Sequence, residues 1–184
     1  IFALDIRVEQ AQKNAILEAK NSHNSVGGVA LINVKNAPIG LGEPLYFKLD
    51  SQIANAMMSI NAVKAVEIGD GILASKVKGY DNNDQIRKDG FKTNHSGGIL
   101  GGISNSDDIN VKVYFKATPS IFIEQETIDI HNDEVNCQLK GRHDPCVAVR
   151  GSVVAESMMA LVLADMVLLN MSSKMENVKK VYSK

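Results

Sequence analysis

The apolar segment near the C-terminal end of the chain sets the strongest limit on its fold. Between residues 153 and 169 only Glu156 and Asp165 are charged. These two residues lie nine positions apart, so at about 100° per residue they point to opposite sides of a helix. The helix predicted over residues 152–170 is therefore apolar on nearly all sides, which is typical of a helix buried between layers. Because a membrane span needs about 20 apolar residues, we expect a core helix and no membrane partner.

The rest of the chain indicates antiparallel strands with a few helices packed on them. Residues 109–116 alternate apolar and polar side chains, which predicts a half-buried strand with Lys116 on its polar face. Asp50 is predicted to cap the helix that follows it, with Met57 and Met58 filling the core. The other expected elements are a helix at 7–21, strands at 25–34, 63–68 and 71–77, and a hairpin of 121–128 with 134–139. This pattern predicts an α+β fold.

Composition narrows the partners that the chain can have. Its 184 residues suffice for one domain, or two small ones, with a real core. The net charge of −1 argues against a general nucleic-acid binder, because such proteins need a basic excess. Cys137 and Cys146 do not make a disulfide framework, so we expect a reducing cytoplasm. We assign the folded domain to residues 1–171 and expect the polar tail at residues 172–184 to fray.

Two segments have compositions that are unusual for either core or surface. Residues 96–105 hold two glycine pairs around an apolar dipeptide. Paired glycines let a backbone approach a ligand closely, but the segment fits no common nucleotide motif, and a tight turn between strands is the alternative. Residues 116–120 combine a lysine, two hydroxyls and a proline, which suits a phosphate group. The alternative for this second segment is a solvated strand end.

A third segment, residues 140–146, places Arg142, His143 and Asp144 in a turn between glycine and proline. Arginine offers a planar fork for carboxylate or phosphate, and histidine and aspartate offer proton transfer. A charged surface turn is the alternative. The histidines and cysteines of this region match no common zinc spacing, so we expect no metal. From the residues alone, the sequence predicts a domain with a glycine-rich loop for an anion or a cofactor, but no particular reaction.

Taken in order, these segments resemble the chorismate synthase family. The resemblance covers about residues 25–165. Its motifs are GLGEP at 40–44, AMMSINAVK at 56–64, VEIG at 66–69, the double-glycine loop, KATPS at 116–120 and GRHDPC at 141–146. Each motif is modest evidence alone, but the ordered set is highly specific. The chain departs from the family pattern at Ala117, where Pro is usual, and at Ser106, where Gly is usual. It also departs at residues 151–153, where Gly-Ser-Val replaces the usual Ala-Val-Pro after Arg150.

The resemblance implies a fold and a reaction. Members of the family convert 5-enolpyruvylshikimate 3-phosphate to chorismate and phosphate by an anti-1,4-elimination that requires reduced FMN. Their two halves form one sandwich, with helices between antiparallel sheets. The implied FMN contacts are Asn61, Ala62, Gly101, Lys116, Ala117, Thr118, Pro119, Ser120 and Arg142. Arg142 would also bind the substrate, and Asp144 would lie near flavin N5 as the catalytic residue of this chain.

The resemblance also implies that the chain is the C-terminal half of a longer enzyme. The family's Gly-x-Ser-His-Gly and Arg-Ser-x-x-Arg-Glu-Thr motifs do not occur here, and Ile1 reads as an internal position. We therefore expect the isolated chain to be inactive, the missing N-terminal half to be its partner, and the full-length protein to be a homotetramer. Two alternatives stay open, namely a non-catalytic module that binds FMN or phosphate and a structural assembly domain.

Overall fold

The computed structural model describes residues 2–183 and has a three-stranded antiparallel sheet at its centre. In chain order the elements are α1 (Ile6–Asn21), β1 (Gly28–Val34), α2 (Leu49–Met58), β2 (Val63–Ile68), a 3-10 helix (Gly71–Ser75), α3 (Gly79–Asn82), β3 (Ile86–Arg87), β4 (Gly90–Phe91), β5 (Ile99–Leu100), β6 (Ile103–Ser104), β7 (Ile109–Phe115), β8 (Gln125–Ile128), β9 (Glu134–Cys137), α4 (Ala148–Met171) and α5 (Met175–Tyr182). Strands and helices occur together with antiparallel pairing, which confirms the α+β prediction.

Strand β7 is the middle strand of the sheet, and its sequence explains why. Every second residue of β7, starting with Ile109, is buried, and the residues between them are half-buried. A strand that is covered on one face and flanked by a strand on each side requires this alternation. It pairs with β1 along its whole length and with β2 through an irregularity between Val63 and Ala65. The predicted strands at 63–68 and 109–116 and the predicted hairpin of β8 with β9 are therefore confirmed.

Helices α2 and α4 cover the apolar face of the sheet. Ile53 and Met57 of α2 are fully buried, as are Ala155 and Met159 of α4 within a few per cent. The close approach of α4 depends on a glycine, because a Cβ built at Gly151 would lie 2.5 Å from a ring carbon of Phe115. The core therefore lies between one sheet and two helices, and it extends from Phe115 at one end of β7 to Ile109 at the other.

The prediction that the long apolar helix is buried on all sides is wrong for this chain. Leu161 and Leu168 are each 65% exposed, because α4 has the sheet and α2 on one side and no layer on the other among the described residues. By length and composition α4 is also able to cross a membrane, the one such helix within residues 2–183. That observation is weak evidence by itself, since a core helix passes the same test.

Three smaller predictions also need correction. Asp50 does not cap α2, because the helix begins at Leu49 and Asp50 lies inside its first turn, where its carboxylate accepts from the N–H of Ser51 at 2.8 Å. Met58 is 48% exposed, although Met57 is buried as expected. Residues 71–77 do not form a strand, because left-handed glycines at 69 and 71 turn the chain into the 3-10 helix. The polar tail contains α5, with its side chains largely exposed, and the domain boundary at residue 171 stays a prediction.

Candidate functional site

Three of the predicted segments meet at one end of the central sheet. The register pairs Phe115, the last residue of β7, with Gly28 at the start of β1 and with Val63 at the start of β2. Antiparallel pairing therefore brings the segment after β7 next to the segments that precede the other two strands. The sequence could not show this directly, because the segments lie up to about 90 residues apart.

The first contact at this sheet end joins the Asn61–Ala62 segment to the KATPS segment. The backbone N–H of Lys116 donates to Ala62 O at 2.9 Å. Ala62 has a left-handed backbone with φ of 72°, so the chain turns sharply before entering β2. Asn61 and Lys116 are both exposed, so their side chains are available to a ligand at this end of the sheet. The structure thus brings Asn61, Ala62 and Lys116 together.

The turn before β1 joins the KATPS segment to the GRHDPC segment. The hydroxyl of Ser25 donates to Thr118 O at 2.6 Å, and the N–H of Val26 donates to Pro145 O at 2.8 Å. A Cβ at Gly28 would lie 2.7 Å from the Cβ of Ala148, so glycine lets α4 begin directly against the sheet. Two neighbouring residues of one turn therefore hold the two segments, Ser25 the KATPS segment and Val26 the GRHDPC segment.

Asp144 lies within this loop and is fixed by an ion pair. Its Oδ2 contacts the guanidinium of Arg150, which lies in the first turn of α4. Both side chains are partly exposed, the aspartate by 36%. The pair ties the predicted catalytic residue to the helix that starts just after it. Arg150 directly precedes the residues 151–153 that depart from the family pattern, and the sequence gives no sign of its contact with Asp144.

Ser120, Arg142 and Asp144 line one cavity of about 200 Å³. Its remaining lining residues are Lys20, His23, Asn24, Ile121, Phe122, His143 and Pro145. Nothing in the sequence marks Lys20 or His23 as a site residue, because neither the end of α1 nor the turn after it matches a motif. The left-handed backbone of His23, with φ of 59°, is the one unusual feature there, and it is not visible in the sequence.

Gly101 lies away from the other predicted residues within this chain. The hairpin of β5 and β6 is anchored at the N-terminal end of α2, where Gly102 O accepts from Leu49, whereas Ala62 follows the C-terminal end of that helix. A helix of 10 residues separates these two points by about 15 Å. A Cβ at Gly101 would meet nothing within 4 Å, so its backbone is open to an approaching group. Gly101 and Gly102 form the two-residue turn between β5 and β6, which is the tight turn that the sequence left as an alternative.

A buried ionic group lies on the other face of the sheet. Lys112 donates to Oε2 of the buried Glu67 at 3.2 Å, and Tyr114 is hydrogen-bonded to the same carboxylate. Burial raises the pKa of Glu67, but the hydrogen bonds and the charge of Lys112 outweigh it, so the pKa lies below its ordinary value. Burial and the Glu67 carboxylate raise the pKa of Tyr114. The carboxylate is therefore held ionised between strands β2 and β7.

A second polar cluster surrounds Asp84, beside a cavity of about 480 Å³. The carboxylate accepts from the backbone N–H groups of His95 and Ser96 at 2.8 and 2.9 Å and from the Thr93 hydroxyl at 2.8 Å. Burial raises the pKa of Asp84, but these hydrogen bonds outweigh it and lower the pKa. The cluster contains none of the predicted site residues, and its bonds hold the loop that precedes β5. Within residues 2–183, no group of three or more His, Cys, Asp or Glu residues is placed to hold a metal ion.

Comparison with known proteins gives consistent matches over nearly the whole chain. A family model described as chorismate synthase matches residues 1–168. The chain is 89% identical over 184 residues to a chorismate synthase of Aliarcobacter butzleri and 64% identical over 184 residues to one of Sulfurimonas denitrificans. A solved structure titled as chorismate synthase matches with a TM-score of 0.72 at 34% identity, covering 95% of this chain and 47% of that one. The alignments span 100% of this chain but 51% of each relative, so the chain spans about half the length of the curated relatives it matches.

Proposed function

This chain belongs to the chorismate synthase family, and we propose that it forms one half of an enzyme that converts 5-enolpyruvylshikimate 3-phosphate to chorismate and phosphate. The observation that carries the proposal is the meeting of the Asn61–Ala62, Lys116–Ser120 and Arg142–Asp144 segments at one end of the sheet. These segments are distant in the sequence, and their convergence supports a shared ligand. The reaction is a carbon–oxygen lyase step, and the cytoplasm is its proposed location.

The residues at the sheet end fit reduced FMN by the chemistry of their donor groups. Lys116, Thr118 and Ser120 offer a cation and two hydroxyls within five residues, and the backbone of this segment is held by Ala62 and Ser25. Such donors suit a phosphate and a polyol chain. When bound, reduced FMN supplies transient electron donation and a position that accepts the C6 hydrogen.

Arg142 and Asp144 are proposed to act on the charges and protons of the reaction. Arg142 is exposed beside the cavity, so its guanidinium is available to neutralise an anionic group of substrate or cofactor. The Arg150 contact uses Oδ2 of Asp144, which leaves Oδ1 to accept or release a proton. Arg150 thus acts as a positioning residue that fixes the direction of the catalytic carboxylate.

The open face of α4 is proposed to receive the other half of the full-length protein. Val154, Leu161 and Leu168 repeat every seven residues and form an exposed apolar stripe along the helix. Soluble proteins rarely leave such a stripe uncovered, and the relatives are about twice as long as this chain. That half is proposed to supply the remaining cations for the substrate, and the complete protein is proposed to be a homotetramer.

The test is chorismate formation under anaerobic conditions by the full-length protein that contains this sequence. We expect turnover with photoreduced FMN, none with oxidised FMN, and none from the isolated 184-residue chain. A full-length protein that binds FMN but forms no chorismate contradicts the proposal and favours a non-catalytic binding module. Turnover by the isolated chain contradicts the division of the site between two halves.

A further inference from the structure

The turn between α1 and β1 lines a half-open cavity beside the proposed site. Lys20, at the end of α1, and His23, in the turn, line a space of about 200 Å³ together with Ser120 and Arg142. Lys20, His23 and Arg142 are exposed, so the space is open to solvent on their side. Pockets that enclose a whole small-molecule ligand usually measure about 300–1,000 Å³. This cavity is therefore sized for one group of a larger ligand rather than for a flavin ring.

The charges that line the cavity favour an anion. Lys20 and Arg142 are cationic, and His23 and His143 add two imidazole rings. Among the described residues, Asp144 is the one carboxylate in the lining, and its charge is paired with Arg150. A lysine, an arginine and the hydroxyl of Ser120 around one small space are a donor set for the oxygens of a phosphate group.

The rings that line the cavity are held in place by the surrounding chain. The N–H of Phe122 donates to His23 O at 3.1 Å, and its carbonyl accepts from the side-chain amide of Gln138 at 2.7 Å. The Phe122 ring has two ring neighbours, His23 with centroids 6.1 Å apart and His143 with centroids 5.3 Å apart. Nε2 of His143 is buried and has no hydrogen-bond partner within residues 2–183. The chain around Phe122 is thus held in place, and the exposed residues Lys20, His23 and Arg142 stand around it.

We propose that this cavity is a subsite for a phosphate monoester and that Lys20 and His23 are two of its ligands. The inference rests on the proposed function, which offers two sources of this chemistry, namely the 5′-phosphate of FMN and the 3-phosphate of the substrate. Both residues lie outside every motif by which the chain resembles its family. They give the end of α1 and the turn after it a role in anion binding, in addition to the hydrogen bonds of Ser25 with Thr118 and of Val26 with Pro145.

The test uses two single variants of the full-length protein, Lys20→Met and His23→Asn. Asparagine tolerates the left-handed backbone of His23, so that variant keeps the turn while it removes the ring. Lys20→Arg keeps the charge and is expected to bind more tightly than Lys20→Met. The matched control is Lys13→Met, in the same helix two turns earlier, where the lysine pairs with Glu9 at 2.6 Å.

Each source of phosphate predicts a different readout. If the flavin phosphate occupies the cavity, Lys20→Met weakens FMN binding by about tenfold and leaves riboflavin binding unchanged, as expected for loss of a charge-assisted hydrogen bond. If the substrate phosphate occupies it, the KM for 5-enolpyruvylshikimate 3-phosphate rises by about the same factor and FMN affinity is unchanged. His23→Asn is expected to change the same quantity as Lys20→Met, either FMN affinity or KM, by a smaller factor.

The outcome that overturns the inference is an active wild-type enzyme in which both variants match Lys13→Met in all three measurements. A wild-type enzyme without turnover refutes the proposed function instead, and inorganic phosphate then decides the subsite by calorimetric titration. Weaker phosphate binding by Lys20→Met than by Lys13→Met supports the subsite, and equal binding refutes it.

Discussion

The contact between α4 and the end of β7 makes a sharp prediction for Gly151→Ala. A Cβ at this position would lie 2.5 and 2.6 Å from two ring carbons of Phe115, whose side chain is buried. Replacing glycine by alanine in a helix interior stabilises the helix by about 1 kcal/mol. Overpacking of a well-packed core costs about 1–3 kcal/mol, and an overlap of this depth belongs at the upper end. The expected net result is a destabilisation of about 2 kcal/mol.

The free energy of unfolding in urea measures this effect, and two further variants define its cause. Gly79→Ala is the matched control, because a Cβ there would meet nothing within 4 Å, and its effect should stay within about 0.5 kcal/mol. Phe115→Leu removes the ring, so the double variant should lose less than the two single losses combined. If Gly151→Ala is as stable as the wild type, or if its loss simply adds to that of Phe115→Leu, the packing argument is wrong.

Three further predictions follow from the site, the sheet and the open helix face. Asp144→Asn should lower kcat for chorismate formation by about 10²- to 10⁴-fold in the full-length enzyme with little change in FMN affinity, and an unchanged kcat would remove the residue from the reaction. The lowered pKa of Glu67 contributes stability above the unfolded value near 4.5 that is lost as the pH falls through the folded value. Urea titrations at several pH values should therefore show a smaller loss on acidification for Glu67→Gln, and equal slopes would contradict the ion network. Leu161→Ala should destabilise the full-length protein by about 2–5 kcal/mol but the isolated chain by less than about 0.5 kcal/mol, and equal effects would mean that the helix face is not covered.

The sequence predicted the central strand well because the alternation of apolar and polar residues that marks a strand is found within a few neighbouring residues. The alternation of residues 109–116 follows directly from one covered face, and the structure has β7 at Ile109–Phe115. The long helix was also predicted in place, but its surroundings were not. An apolar sequence indicates that a helix becomes covered, and it does not say by which part of the protein. In this chain the sheet and α2 cover one side of α4.

The sequence predicted which segments form the candidate site. It did not predict how these segments are arranged in space. Motif resemblance gave Lys116 and Arg142, but their meeting depends on antiparallel register and on contacts such as Ser25 with Thr118. Lys20 and His23 were missed because a helix end and a polar turn look like ordinary surface in a sequence. Gly101 illustrates the opposite case, since its segment was singled out by composition and lies at the far end of α2. Its predicted contact with the cofactor stays a prediction.

The most direct test of the account is the dissociation constant of FMN for the full-length protein and its charge variants. Lys116 and Arg142 reach the proposed site from two different segments, whereas Lys35 is an exposed lysine just past the opposite end of β1. If the segments form one site, Lys116→Ala and Arg142→Ala should each weaken FMN binding by about tenfold, as expected for loss of a hydrogen bond to a charged group, and Lys35→Ala should have no effect. Equal affinities for all three variants and the wild type would contradict the claim that this end of the sheet binds the cofactor.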